Sequence, residues 1–364
     1  MIQLDGNFGE GGGQIIRTAL ALSQLTFEPF HVPNIRSGRK DAGLKMQHLH
    51  AIKALQKLTG AEAAGAELGS TELTFTPKPL KGRSLSVDIE TAGSITLFLQ
   101  AVLLPCCFAD KQMKIEIIGG TDVAWAMPVD YFREVLIPQL QRWAEIKVST
   151  EKRGYYPAGG GKVTVRITPR VHRSEFADFK TFAEKLREQP RIELTEQHNL
   201  IHIKGISHAS KSLEGARVAE RQAHSAQQAL ASLKCPVTIR SEYSETLSPG
   251  SGITLWAVFS RKKDDIDVEN PIIIGADALG EKGKPAEEVG KEAALKLIDA
   301  VKSEAPVDSH LADNLIPWMG LFASSTIKTA KVTPHATTNI YVVEKFLPVK
   351  FSVKETTISS ALRA

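Results

Sequence analysis

Two stretches of this chain run through the same order of elements, and that repeat restricts the folds open to it. In the first, residues 2–4 read as a short strand. Residues 13–25 place Ile15, Ile16, Ala19, Leu20 and Leu22 at helical spacing. Strand returns at 30–35, a second amphipathic helix covers 43–58, and a strand over 72–76 stops at Pro77. The second stretch opens with a strand at 85–89, and Ser94 is placed to cap a helix over 95–104. A strand at 113–118 and a helix at 128–143, with proline in its first turn, follow. Strands at 146–150 and 162–167 flank a glycine-rich turn. The order β-α-β-α-β-β thus occurs twice, about 80 residues apart, as expected of an internal repeat.

Residues 171–190 are charged and irregular in pattern. A separate unit then reads as strand 198–206, helix 213–233 and strands 237–242 and 253–259, closed by the charged stretch 261–270. Beyond it come helices at 285–301 and 308–321 and strands at 327–332, 339–343 and 351–353, like the second half of a third repeat. The expected fold is α/β, with small sheets faced by helix pairs. A large domain over 1–184 and 277–364 would hold three repeats, and a smaller α/β domain over 185–276 would be inserted in the third.

An apolar fraction of 42% suits a globular chain of 364 residues. A net charge of only +4 argues against a general nucleic-acid coat, so any such contact should be local, through a few arginines. Cys106, Cys107 and Cys235 have neither disulfide-framework nor zinc spacing and read as buried thiols of a reducing compartment. No signal peptide is visible at the N-terminus. The longest apolar stretch, 95–109, is broken by Gln100 and Pro105 and is too short for a membrane span. A cytoplasmic protein with no membrane partner is expected; an oligomer is compatible with the chain.

The run Gly9-Glu10-Gly11-Gly12-Gly13-Gln14 lies between a strand and a helix. Glycines let the backbone approach a ligand, and a helix N-terminus favours anions. Arg17 lies one turn in. Neither the dinucleotide fingerprint nor the phosphate-loop pattern fits, so spacing leaves phosphate binding and a flexible turn both open. Glu10 would repel phosphate unless a divalent metal sat between them. Arg36-Ser37-Gly38-Arg39-Lys40 reads either as an oxyanion site or as a solvated charge run. His310 lies where a helix begins, with Asp313 three residues on. A neutral imidazole is a competent nucleophile toward phosphorus, yet spacing does not single this histidine out of ten.

Eight segments in order resemble the RNA 3′-terminal phosphate cyclases. They include Gly9 to Arg17, Ile35-Arg36-Ser37-Gly38-Arg39, Gln47-His48-Leu49 and Gly119-Gly120-Thr121-Asp122. The others are Tyr156-Pro157-Ala158-Gly159-Gly160-Gly161, Gly205-Ile206-Ser207-His208-Ala209, the run from Gly280 to Glu287, and His310-Leu311-Ala312-Asp313-Asn314. The resemblance implies repeated units with an inserted small domain. It also implies conversion of an RNA 3′-phosphate to a 2′,3′-cyclic phosphodiester with ATP and Mg²⁺ or Mn²⁺. By this resemblance His310 is the nucleophile that takes AMP, and Glu10 holds the metal. Arg17 and Gln100 would contact ATP, while Pro285, Ala286, Glu287, Glu288 and Val289 would form the adenosine pocket, closed by Pro128. Arg36, Arg39, Gln47 and His48 would hold the RNA 3′-phosphate. The rival readings are a relative that lacks the nucleophilic histidine and serves in ribosome assembly, an enolpyruvyl transferase built on similar repeats, and a plain RNA-binding module.

Overall fold

The computed structural model describes residues 1–262 and 266–363. The first repeat is β1 (Ile2–Gln3), α1 (Gln14–Thr26), β2 (Phe30–Val32), α2 (Met46–Thr59), β3 (Glu62–Ala64) and β4 (Leu73–Thr76). The second is β5 (Ser84–Asp88), α3 (Ile95–Cys106), β6 (Met113–Gly119), a broken helix, β7 (Ala144–Lys152) and β8 (Gly161–Pro169). The broken helix is α4 (Val129–Tyr131), a π turn over Phe132–Leu136, and α5 (Ile137–Leu140). Pro138 cannot donate the bond a regular turn needs, which accounts for the widening.

Next come α6 (Phe179–Leu186) and β9 (Glu193–Leu194). The inserted unit is β10 (Asn199–Ser210), α7 (Val218–Leu230), β11 (Val237–Ser244), β12 (Ser251–Ser260), β13 (Ile272–Leu279) and α8 (Ala286–Lys302). The chain ends with α9 (Ser309–Leu321), β14 (Thr326–Lys328), α10 (Pro334–Phe346), β15 (Val349–Lys354) and β16 (Thr357–Leu362).

The repeat holds three times over. The sheets run β1-β2-β4-β3, β5-β6-β8-β7 and β9-β14-β16-β15. In each, the first pair is parallel and the other two are antiparallel. The third repeat is therefore split between its first strand, β9, and its first helix, α9. The inserted sheet has another order, β11-β10-β12-β13. Its reach goes past residue 276: β13 continues to Leu279 on β12, and α8 packs on α7.

Four local readings change. Residues 339–343 form part of helix α10, not a strand. Their β-branched and aromatic run suggested strand, but Thr333 Oγ1 accepts from Ala336 N and Pro334 opens the first turn. Residues 171–190 contain α6, capped by Asp178, with Phe182 set edge-on to Phe108 at 5.3 Å. The helix expected over 213–233 begins at Val218, since Arg217 takes a left-handed conformation. Strands β3, β9, β13 and β16 were not anticipated. The stretch 261–270 lies partly outside the described residues.

Helix α1 sits between α3 and α10, which explains why twelve of its thirteen residues are buried. Its N-terminus, and hence the glycine loop, faces the groove between repeats and insertion. Ser94 caps α3 as expected, with Leu97 N donating to its Oγ at 3.2 Å. Cys106 and Cys107 are buried and unpaired, Cys235 is partly covered, and burial pushes the Cys106 thiol up to about 12. No helix among the described residues is long and apolar enough to cross a membrane.

A buried ion cluster fixes the insertion to the second repeat. Arg153 donates from Nη1 to Asp122 (3.1 Å) and from Nη2 to Asp130 (2.6 Å) and Glu242 (2.6 Å). His208 Nε2 lies 3.2 Å from Asp122, and the Tyr155 hydroxyl lies 2.8 Å from His208 Nδ1. Glu242 and His208 come from the inserted sheet and the other four residues from the second repeat. Burial alone would raise the Asp122 carboxyl, but His208 and Arg153 hold it below the usual carboxylate range.

Candidate active site

A cleft of about 1710 Å³ opens between the repeats and the insertion. That exceeds the usual few hundred to 1,000 Å³ of a single small-ligand pocket, so a nucleotide and a second substrate could share it. One wall carries Glu10, Gly12, Gly13, Gln14, Arg17, Arg36, Arg39, Gln47 and His335. The opposite wall carries Pro285, Ala286 and Val289 from the start of α8.

The glycine loop is built for close approach. Gly9 and Gly11 adopt φ of +60° and +58°, which side chains rarely tolerate. A Cβ on Gly13 would fall 2.1 Å from His48 Nε2. His48 itself is fully buried and does not line the cleft, which corrects its expected contact with an RNA phosphate. Lys45 N donates to its Nδ1 (3.1 Å), and its Nε2 lies 3.5 Å from Arg17 Nη1. Burial and the charges of Arg17, Arg36 and Lys45 keep it neutral, so it supports the arginine from behind.

The three arginines repel one another. Burial and the Arg36 charge push Arg17 down to about 10. Burial and Arg39 lower Arg36, against the pull of Asp41. The Arg36 Nε is buried with no hydrogen-bond partner among the described residues. An oxyanion here would satisfy that donor and neutralise the cluster. Arg39 meanwhile holds Glu10, from Nη2 to Oε2 at 3.2 Å, and His335 Nε2 lies 3.7 Å from the same oxygen. Sequence reasoning missed His335 because the helix carrying it was misread at 339–343; Thr333-Pro334 was the available signal.

His310 is exposed in the first turn of α9. Asp308 fixes that turn. Its Oδ1 accepts from His310 N (3.0 Å), Leu311 N (3.0 Å) and the Tyr131 hydroxyl (2.6 Å), and its Oδ2 accepts from Gly275 N (3.0 Å). The Tyr131 ring stands edge-on to the imidazole, centroids 6.4 Å apart. A relay joins this histidine to the arginine cradle. Arg17 Nε donates to Gln100 Oε1 (2.8 Å), Gln100 Nε2 to Asn314 Oδ1 (2.8 Å), and Asn314 Nδ2 to the His310 carbonyl (2.7 Å).

The other expected residues divide. Glu287 turns from the cleft to a two-pronged bond with Arg221 (2.7 and 2.8 Å). Glu288 is exposed and Pro128 is buried at the start of α4; neither lines the cleft, nor do Gln100 and His310 themselves.

Of two carboxyls near His310, Asp313 was visible in the sequence as its neighbour three residues on, and Asp277 was not. Burial pushes both Asp277 and Asp313 up to about 6, partly offset by the His310 charge, and for Asp313 also by the Thr333 hydroxyl. Asp277 lies on β13, a strand not anticipated. A folded-state pKa above the ordinary 3.8 contributes stability that is present below pH 4 and lost as pH rises through about 6. Asp277→Asn should therefore raise the melting temperature at pH 8 and leave it nearly unchanged at pH 4, by calorimetry at both pH values.

With this geometry in place, comparison with known proteins is direct. The profile of the family described as RNA 3′-terminal phosphate cyclase matches residues 8–353. This chain belongs to the RNA 3′-terminal phosphate cyclase family. Proteins named RNA 3′-terminal phosphate cyclase from Pyrococcus furiosus and Pyrococcus abyssi are 45% and 43% identical to it, each over 97% of this chain and 95% of their own. The one from Methanosarcina mazei is 42% identical over 98% of this chain and 97% of its own. The glycine loop, the arginine cradle and His310 all lie within the span that matches the cyclase family.

Proposed function

We propose that this chain converts an RNA 3′-terminal phosphate to a 2′,3′-cyclic phosphodiester, consuming ATP through a histidine–AMP intermediate on His310. The observation that carries this reading is the hydrogen-bonded chain from Arg17 through Gln100 and Asn314 to the His310 backbone carbonyl, which ties the arginine cluster to the helix turn that carries His310. The membership of the family and the names of its relatives support it.

A phosphate monoester dianion is a poor electrophile, and closing a five-membered ring on it needs a leaving group. ATP supplies one. The His310 imidazole attacks the α-phosphorus; the bond to the β-phosphate oxygen breaks and pyrophosphate leaves. Asp277 and Asp313 stabilise the positive charge that develops on the ring. An oxygen of the RNA 3′-phosphate then attacks the same phosphorus, and the P–N bond breaks to restore the imidazole. Finally the 2′-oxygen, losing its proton, attacks the activated 3′-phosphorus and AMP departs. The 2′-hydroxyl is already beside that phosphorus, so positioning and charge neutralisation supply most of the acceleration.

Arg17 would hold phosphates of ATP and Arg36, Arg39 and Gln47 those of the RNA end, with Pro285, Ala286 and Val289 against the adenosine. Glu10 would hold Mg²⁺ or Mn²⁺. A hard carboxylate at the mouth of a glycine loop suits such a cation, which would take the place of Arg39 on Glu10 and neutralise phosphate charge there.

The test is product analysis. RNA with a 3′-phosphate, ATP and Mg²⁺ should yield a phosphatase-resistant 3′ end and one AMP per end. Release of ADP, or an end that stays phosphatase-sensitive, would contradict the reading.

A further inference from the structure

Two large aromatic rings stand largely bare in the cleft. Trp125 is 98% exposed and Tyr156 is 77% exposed, and both line the cleft. They come from neighbouring segments: Thr121 N donates to Gly154 O at 2.9 Å, so the 121–125 and 154–156 stretches leave one contact together. Trp125 also adopts a φ of +66°, an uncommon conformation for a bulky residue. Leaving an indole this bare in water is unfavourable, and a backbone turned against its preference to do so points to use. The same cleft carries Arg17, Arg36 and Arg39.

A cationic cradle together with bare aromatic faces is what an unpaired nucleic-acid strand requires: charge for its phosphates and flat surfaces for its bases. Resting on the functional reading above, we propose that Trp125 and Tyr156 form a stacking platform for the unpaired bases next to the RNA 3′-phosphate. Stacking tolerates every base, so the platform would bind single-stranded ends without reading their sequence. No aromatic motif signals this in one dimension, because the two rings are 31 positions apart in the chain and share only the cleft they line.

Intrinsic fluorescence tests it on the whole protein. Of four tryptophans, Trp143, Trp256 and Trp318 are buried, so quenching by solvent-side ligands reports Trp125. A 3′-phosphorylated oligoribonucleotide should quench wild-type emission, AMP alone should not, and Trp125→Phe should lose the quench while still retaining the RNA. Trp125→Ala and Tyr156→Ala should each raise the KM for RNA about fivefold to a hundredfold, the range expected for one lost stacking contact. An oligonucleotide abasic in its last three positions should bind wild type as weakly as the intact RNA binds Trp125→Ala.

Quenching by AMP alone would assign the rings to the nucleotide pocket and overturn the proposal. Cyclisation of RNA with no quench would overturn it too while leaving the functional reading standing. If His310 takes no AMP and no cyclic end forms, the functional reading fails and the platform falls with it.

Discussion

His310→Ala lowers cyclisation of an RNA 3′-phosphate by at least about 10⁴-fold in kcat, the scale of losing a covalent nucleophile. The variant should fold, because His310 is exposed and its helix start is held by the backbone bonds and hydroxyl on Asp308, not by the imidazole. A second measurement separates the chemical steps. RNA already carrying AMP on its 3′-phosphate needs no nucleophile, so the same variant should still close that ring at a rate within about tenfold of wild type. A variant that cyclises plain 3′-phosphate RNA at near-normal rate would remove His310 from the mechanism.

Arg153→Met destabilises the protein by about 3–5 kcal/mol, measured by denaturant unfolding. The substitution leaves Asp122 and Asp130 buried with their shared cation gone. Glu242, partly exposed and still beside Arg240 at 3.2 Å, suffers less. The loss should deepen at neutral pH and shrink as pH falls, since protonation relieves two buried carboxyls then left with only His208 on Asp122 and Arg133 on Asp130 as ionic partners among the described residues. Because Glu242 and His208 belong to the inserted sheet, the docking of that unit on the second repeat is what weakens. A change below about 1 kcal/mol would mean that water or a cation replaces Arg153 without loss.

The repeat was legible because alternating and helical apolar spacing survive in single segments such as α1 and β6. The third copy was obscured, since its first strand is only Glu193–Leu194 and its helix α9 lies more than a hundred residues later. Residues 339–343 misled because β-branched and aromatic side chains there pack on a helix face, where tertiary contact outweighs local preference. The glycine loop and Arg17 were readable as chemistry that needs those residue types. Asp277, His335, Trp125 and Tyr156 were not: an isolated acid, imidazole or ring carries no pattern until the fold brings His335 and the two rings to the cleft and Asp277 near His310. His48 shows the converse. It stands beside cleft residues in sequence, yet the helical turn after Gln47 directs it inward behind Gly13.

The central claim is that His310 becomes covalently adenylylated. Wild type and His310→Ala are incubated with Mg²⁺ and ATP labelled at the α-phosphate, then separated under denaturing conditions. An acid-labile, alkali-stable label is expected on wild type alone, discharged as AMP when RNA with a 3′-phosphate is added. Label on both proteins, or none on folded wild type that still binds ATP, would contradict it.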